Sequence, residues 1–174
     1  MRIFLVGYMG AGKSSVGKRL AKKLDVPFHD LDGIIIAREG KSVQDIFSDQ
    51  GEAGFRGLER KYLRETVNED QEFVLATGGG TPCFYDNLMF MKANGLTIYL
   101  QMDIQSLVHR LMYAKEARPL IEGKSEDELK SFVTSHLESR VEYYEDCELV
   151  FPALGLSKMK LDRLLQLISS KTED

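Results

Sequence analysis

Apolar residues in this chain fall into short unbroken blocks, separated by longer stretches in which they recur at helical spacing. Ile3 to Val6 form the first block, a run suited to a strand covered on both faces of a parallel sheet. Phe73-Val74-Leu75-Ala76, Leu96-Thr97-Ile98-Tyr99-Leu100 and Glu148-Leu149-Val150-Phe151 repeat the pattern. Val26-Pro27-Phe28-His29 reads as a short second strand, with Pro27 tolerable near its start. Between these blocks, Val16, Leu20, Ala21 and Leu24 mark a first helix. Ser42-Val43-Gln44-Asp45 matches a capping signature and opens a short helix carrying Val43, Ile46 and Phe47. Phe55, Leu58, Tyr62 and Val67 predict a longer helix over about 52–67. Further helices are expected over 104–112, over about 129–144, and after Ser157, a good N-cap ahead of Leu161, Leu164, Leu165 and Ile168. Residues 113–127 are polar and broken by Pro119 and Gly123, which predicts a mobile loop. Strands alternating with helices predict an α/β fold of three layers around a parallel sheet, in one domain over 1–174.

In such sheets ligands gather at the carboxyl ends of the strands, so the residues that follow each block carry the chemistry. The first block runs into Gly7-Tyr8-Met9-Gly10-Ala11-Gly12-Lys13-Ser14, with a helical pattern directly behind it. Glycines at this spacing let backbone N–H groups turn inward around an anion, and the helix N-terminus adds partial positive charge. Lys13 can then reach β- and γ-phosphate oxygens, and the Ser14 hydroxyl can ligate Mg²⁺. A plain glycine turn is the bland alternative, but all the fixed positions and both flanks are present. A nucleoside triphosphate with magnesium is the expected ligand.

Composition narrows the partners. The 174 residues carry a formal charge of −4 and a pI near 5.5, so no global basic field invites nucleic acid or an anionic membrane. Basic residues must then act locally. With 43% hydrophobic and 29% charged residues, the chain has an ordinary globular balance. No apolar run approaches membrane-spanning length, and the first strand starts too early for a signal or transit peptide, so a cytoplasmic location is expected. Cys83 and Cys147 lack metal-ligand spacing, as do His29, His109 and His136.

Four further stretches stand out. "FHDLDG" places Asp30 and Asp32 at the end of the second strand; if the chain is still extended there, both carboxylates face one side. One could hold magnesium through water and the other orient an acceptor hydroxyl, whereas the alternative is a pair of aspartates complementing a helix N-terminus. "GFRGLE" sets Arg56 and Glu59 one helical turn apart, either as a surface ion pair or as an Arg held to grip a substrate carboxylate. "ATGGGTP" puts three glycines after a buried strand, more than a tight turn needs, which favours close approach of a ligand to the backbone. "EARPLIEG" sets Arg118 in the charged loop, where a lid could bring it onto a triphosphate. Arg140 in "SRVEYYED" is a second candidate anion clamp, or else a solvated helix Arg among glutamates.

Taken in order, "GYMGAGKSSVG", "FHDLD", "IFSDQGEAGFRGLE", "ATGGGTP", "ARPL" and "RVEYY" resemble the shikimate kinase family across almost the whole chain. The resemblance implies a P-loop NTPase fold, similar to nucleoside monophosphate kinases, with a five-stranded parallel sheet. It also implies a substrate-binding segment over about 32–60 and a lid over about 113–126. It implies transfer of the ATP γ-phosphate to the 3-hydroxyl of shikimate, by a monomer that uses Mg²⁺. Residue by residue, Gly10, Ala11, Gly12, Lys13, Ser14 and Ser15 would hold ATP, with Arg118 on the phosphates. Ser14 would carry Mg²⁺ with Asp30 supporting it through water. Asp32 would meet the acceptor hydroxyl, Arg56 and Arg140 the substrate carboxylate, and Gly79 and Gly80 would offer backbone contacts. Lys13, Asp32 and Arg118 would be the catalytic groups. The chain departs from the family pattern at Gly33-Ile34-Ile35-Ile36, where a Glu is usual, and in "FPALGLSK", which leaves the nucleobase contacts unassigned. The nearest rival is a kinase for another hydroxy acid such as gluconate; a nucleotide-binding switch is the rival from a different class.

Overall fold

The computed structural model describes residues 1–114, 121 and 123–172. Five strands, β1 (Arg2–Val6), β2 (Phe28–Asp30), β3 (Phe73–Ala76), β4 (Leu96–Gln101) and β5 (Leu149–Pro152), form one sheet in the order β2-β3-β1-β4-β5. Every pairing is parallel. Ile3, Phe4, Leu5 and Val6 are all fully buried, and so are Phe73, Val74 and Leu75. Neighbouring side chains on a strand point to opposite faces, so both faces of the central strands are covered. The edges are less enclosed: β2 is half-buried throughout, and Val150 of β5 is exposed.

The helices are α1 (Lys13–Leu24), α2 (Leu31–Glu39), α3 (Val43–Glu69), α4 (Asn87–Asn94), α5 (Ile104–Met112), α6 (Glu126–Glu138), α7 (Val141–Glu145) and α8 (Lys158–Thr172). None of the described helices is long and apolar enough to cross a membrane. α3 breaks at Gly51, whose φ of 69° and ψ of −176° leave the helical region, so the two separate helices expected there are joined end to end at a kink. Its start is the anticipated capping box, with Ser42 and Asp45 bonded reciprocally. Ser157 likewise accepts from Lys160 N ahead of the last helix.

Three features of the fold depart from the sequence pattern. α2 and α4 were not anticipated, because neither presents a clean apolar stripe: in α2 only Leu31 and Ile35 are buried, while Ile36 faces solvent. The helix expected over 129–144 is two, parted at Ser139 and Arg140, where Arg140 N bonds back to Leu137 O at 2.9 Å and Arg140 leaves the helical region.

Helix α1 lies close against the sheet at Gly17. A Cβ there would stand 2.4 Å from the Phe28 ring and 3.1 Å from Leu5. Gly17→Ala is therefore expected to destabilise the fold by roughly 1–3 kcal/mol, despite alanine's better helix propensity. A urea melt read by circular dichroism checks this; an unchanged or raised midpoint would mean that Phe28 gives way at no cost.

Candidate active site

Strand order reverses around β1, which pairs with β3 on one side and β4 on the other, and this opens a crevice at the carboxyl ends. The loop after β1 lies in that crevice. Gly10 and Gly12 hold φ of 84° and 91°, left-handed values that a side chain would strain. Ala11 N bonds to Tyr8 O at 3.1 Å to close the turn. Helix α1 then starts without a side-chain cap and without an acidic residue in its first turn, so its N–H groups and dipole are free to receive an anion. Lys13 Nζ spans the loop, donating to Gly7 O at 2.7 Å and Tyr8 O at 3.0 Å. Ser15, next on the helix, is exposed.

Ser14 and Asp30 meet here, the hydroxyl donating to Asp30 Oδ2 at 2.6 Å. A hydroxyl beside a carboxylate at the phosphate loop suits Mg²⁺, which keeps most of its waters and takes one or two protein groups plus phosphate. The described residues hold no cluster of three or more His, Cys, Asp or Glu that could cage a metal by themselves.

Asp30 and Asp32 do not share a face as residues of one extended strand. The chain turns helical at Leu31; Asp30 becomes the N-cap of α2, its Oδ1 accepting from Gly33 N, while Asp32 lies in the first turn. The dipole role and the site role coexist. Asp32 is raised to about 6, first by burial, then by the carboxylates of Glu59 and Asp30, with Lys13 and Arg56 opposing. Its Oδ1 is buried with no hydrogen-bond donor among the described residues. Such an acceptor in a cleft is a poised one.

The Arg56–Glu59 pair is no surface salt bridge. Glu59 is fully buried and Arg56 is 8% exposed. Arg56 Nη1 donates to Glu59 Oε2 at 2.7 Å, and Nη2 and Nε donate to Glu52 Oε1 at 3.0 and 3.3 Å. Phe84 lies under the guanidinium at 4.4 Å. Burial works against the charge, but pairing with Glu59 and Glu52 outweighs it, and Arg56 stays protonated. Three of its five N–H groups are engaged, leaving one on each terminal nitrogen.

The glycine run is explained by protein side chains that crowd its backbone. A Cβ on Gly80 would stand 2.5 Å from Arg56 Nη1. One on Gly78 would stand 2.4 Å from Glu59 Oε1, 2.9 Å from Thr81 Oγ1 and 3.3 Å from Asp32 Oδ1. One on Gly79 would approach Met9 N at 3.3 Å and Arg140 Nη1 at 3.8 Å. None of the three needs a positive φ. Asp32, Arg56, Glu59 and Arg140 thus converge on one strip of backbone, where Gly78 and Gly80 leave no room for a Cβ and Gly79 little.

Arg140 reaches the strip from the α6–α7 corner, half-buried, and no carboxylate among the described residues pairs with it. Cys83 borders the same space, and burial pushes its thiol up to about 11, which makes it an unreactive packing group. Arg118 and most of the expected lid lie outside the described residues.

The comparisons with known proteins agree with this geometry. The family model for shikimate kinase matches residues 9–168. The chain belongs to the shikimate kinase family. A shikimate kinase of Bacteroides thetaiotaomicron is 46% identical over 96% of this chain and 99% of its own length. A 1.7 Å crystal structure of shikimate kinase from that organism superposes with a TM-score of 0.92 at 44% identity, covering 97% of this chain and 98% of that one. The Acinetobacter baumannii family member, solved in complex with shikimate, gives 0.84 at 32% identity over 98% of this chain and 93% of its own. A deoxyadenosine kinase with bound dATP, at 15% identity and a TM-score of 0.61, shares the fold.

One further candidate residue carries no signal in the sequence. Arg110, on the last turn of α5, donates through Nη1 to Gly10 O at 3.2 Å. It lines a cavity of about 480 Å³ with Asp103, Ser106, Lys130 and Leu154. No local signal marks Arg110; its partner is 100 residues away.

Proposed function

We propose that this protein transfers the γ-phosphate of ATP to the 3-hydroxyl of shikimate, with Mg²⁺, in the cytoplasm. The observation that carries the reading is the convergence of a buried Asp32 Oδ1, without a donor among the described residues, with Arg56 and Arg140 beside a phosphate loop. A hydroxy acid fits that arrangement: its carboxylate meets the two guanidinium groups and its hydroxyl meets Asp32. Segment 32–60 then forms the acceptor side of the crevice, and 113–126 acts as a lid that delivers Arg118.

In this reading Gly10 to Ser15 cradle the triphosphate, and the Arg110-lined cavity beside Gly10 takes the nucleoside half. Mg²⁺ would be held by Ser14, with Asp30 behind it through water, and would offset charge on the phosphates. Asp32 accepts a hydrogen bond from the acceptor hydroxyl, aims its lone pair at the γ-phosphorus and receives the proton late in transfer. Lys13 moves from the loop carbonyls onto the phosphate oxygens as negative charge shifts toward the leaving group.

The test is ADP release measured in a coupled assay with shikimate and with gluconate. Turnover that depends on shikimate supports the proposal, whereas preference for gluconate, or ATP hydrolysis indifferent to either, rejects it.

The two arginines should not behave alike. Arg140→Ala removes a cation that no carboxylate among the described residues pairs with and is expected to weaken shikimate binding by roughly 1.5–3 kcal/mol, with ATP affinity nearly unchanged. Arg56→Ala also leaves Glu59 buried beside Asp32 without its partner, so it should lower thermal stability as well, by an amount on the order of 3 kcal/mol. Isothermal titration and thermal melts separate the two. Normal shikimate binding by both variants would eliminate the carboxylate clamp.

A further inference from the structure

Tyr8 and His136 stand 128 residues apart in the chain and meet at the centre of the site, with the phenol oxygen 2.8 Å from His136 Nδ1. Tyr8 belongs to the phosphate loop and is 1% exposed. Its ring packs edge-on against the imidazole, with centroids 5.5 Å apart, and Phe132 lies against the same imidazole at 5.0 Å. Among the described residues the phenol has no other acceptor, so it donates and Nδ1 accepts. Burial pushes the phenol up to about 12, while burial followed by Arg140 and Arg56 pulls His136 down, so both are neutral near pH 7.

The location of this bond gives it a task. His136 lies on the last turn of α6, four residues before Arg140, and Tyr144 lies four residues after it. Tyr144, fully buried, donates to Gly79 O at 2.6 Å. Arg140 is therefore mounted at a helix break between two pins, one on the phosphate loop and one on the glycine strip. Tyr8 is itself tied to the catalytic lysine, because its carbonyl accepts from Lys13 Nζ.

We propose that Tyr8 and His136 are positioning residues whose hydrogen bond locks the Arg140 corner to the phosphate loop, so that the carboxylate clamp and the phosphate grip share one frame. The proposal rests on the shikimate kinase reading above. Tyr8→Phe keeps the packed ring and deletes only the hydroxyl. It should raise the KM for shikimate about three- to tenfold, the range set by one buried hydrogen bond, while kcat falls less. His136→Asn places an amide oxygen where Nδ1 stands and should recover most of the affinity that His136→Leu loses. The Tyr8→Phe/His136→Leu double variant should be no weaker than His136→Leu alone, because both remove the same bond.

Steady-state kinetics on the four variants, with thermal melts alongside, provide the test. A merely structural contact would lower the melting temperature of Tyr8→Phe and leave its shikimate KM within twofold of wild type, which overturns the proposal. So would Asn performing no better than Leu at 136, or single effects that multiply in the double variant. A wild-type protein that turned over no shikimate would overturn the functional reading, and this proposal with it.

Discussion

Lys13→Ala is expected to lower turnover by about 10³-fold or more while the protein stays folded. In the proposed reaction the ammonium is the charge the loop would hold nearest the triphosphate, and it is fixed by Gly7 O and Tyr8 O at the mouth of a helix whose own N-terminus is uncapped. It would act where negative charge moves during transfer, which a fixed backbone nest cannot follow. The cost to folding should be small. Lys13 is half-buried at a ligand-facing helix start, and its two bonds to loop carbonyls are worth on the order of 1 kcal/mol each. The coupled assay at saturating ATP and shikimate, with a thermal melt beside it, reads both quantities. A loss below about tenfold would contradict the role given to the phosphate loop.

Asp32→Asn should reduce kcat by roughly 10²–10⁴ and at the same time make the free protein more stable at alkaline pH. Asn keeps the shape and one acceptor oxygen but cannot take the proton. In wild type, kcat/KM should fall as pH drops through about 6, where Asp32 gains a proton and ceases to accept from the hydroxyl. The stability effect has the opposite pH sense. A carboxylate whose folded-state value is raised favours folding while it is protonated, and loses that advantage as pH rises from its unfolded value toward about 6. Above that range the ionised group, buried and crowded by Glu59 and Asp30, costs the fold an amount on the order of 3 kcal/mol that Asn does not. The melting-temperature gain of Asp32→Asn should therefore be present at pH 8 and vanish below pH 4. Asp30→Asn should differ, by raising the Mg²⁺ concentration needed for activity, because Asp30 is bonded to the Ser14 hydroxyl. Near-normal kcat in Asp32→Asn, or a magnesium phenotype there, would reverse the division of labour between the two aspartates.

The sequence by itself determined the phosphate loop, the parallel sheet and the identity of most candidate site residues. These features are local. A buried strand, a glycine-spaced turn and a helix start are written in consecutive residues, and a four-residue apolar block admits few other uses in a chain of this composition. Capping at Ser42 and Ser157 was legible for the same reason, since a cap is bonded within three residues of itself.

What only the tertiary structure decided depends on distance along the chain. Spacing leaves Arg56 and Glu59 open between a surface ion pair and an Arg held for a substrate carboxylate, and enclosure by the glycine strip and Phe84 excludes the surface pair. The three glycines suggest a ligand at the backbone, and the fold adds a second reason for two of them, since Glu59 and Arg56 stand where Cβ atoms on Gly78 and Gly80 would lie. Periodicity ran one helix through residue 140, because the side chains on either side of the break keep an amphipathic pattern. The corner that aims Arg140 exists through bonds to Gly79 and Tyr8, 65 and 128 residues from their partners. The raised proton affinity of Asp32 likewise comes from burial and from Glu59 and Asp30, carboxylates on different elements brought together at one end of the sheet. Propensity and spacing act over a few residues, whereas burial and electrostatics act over a few ångströms, and only folding converts one kind of neighbour into the other.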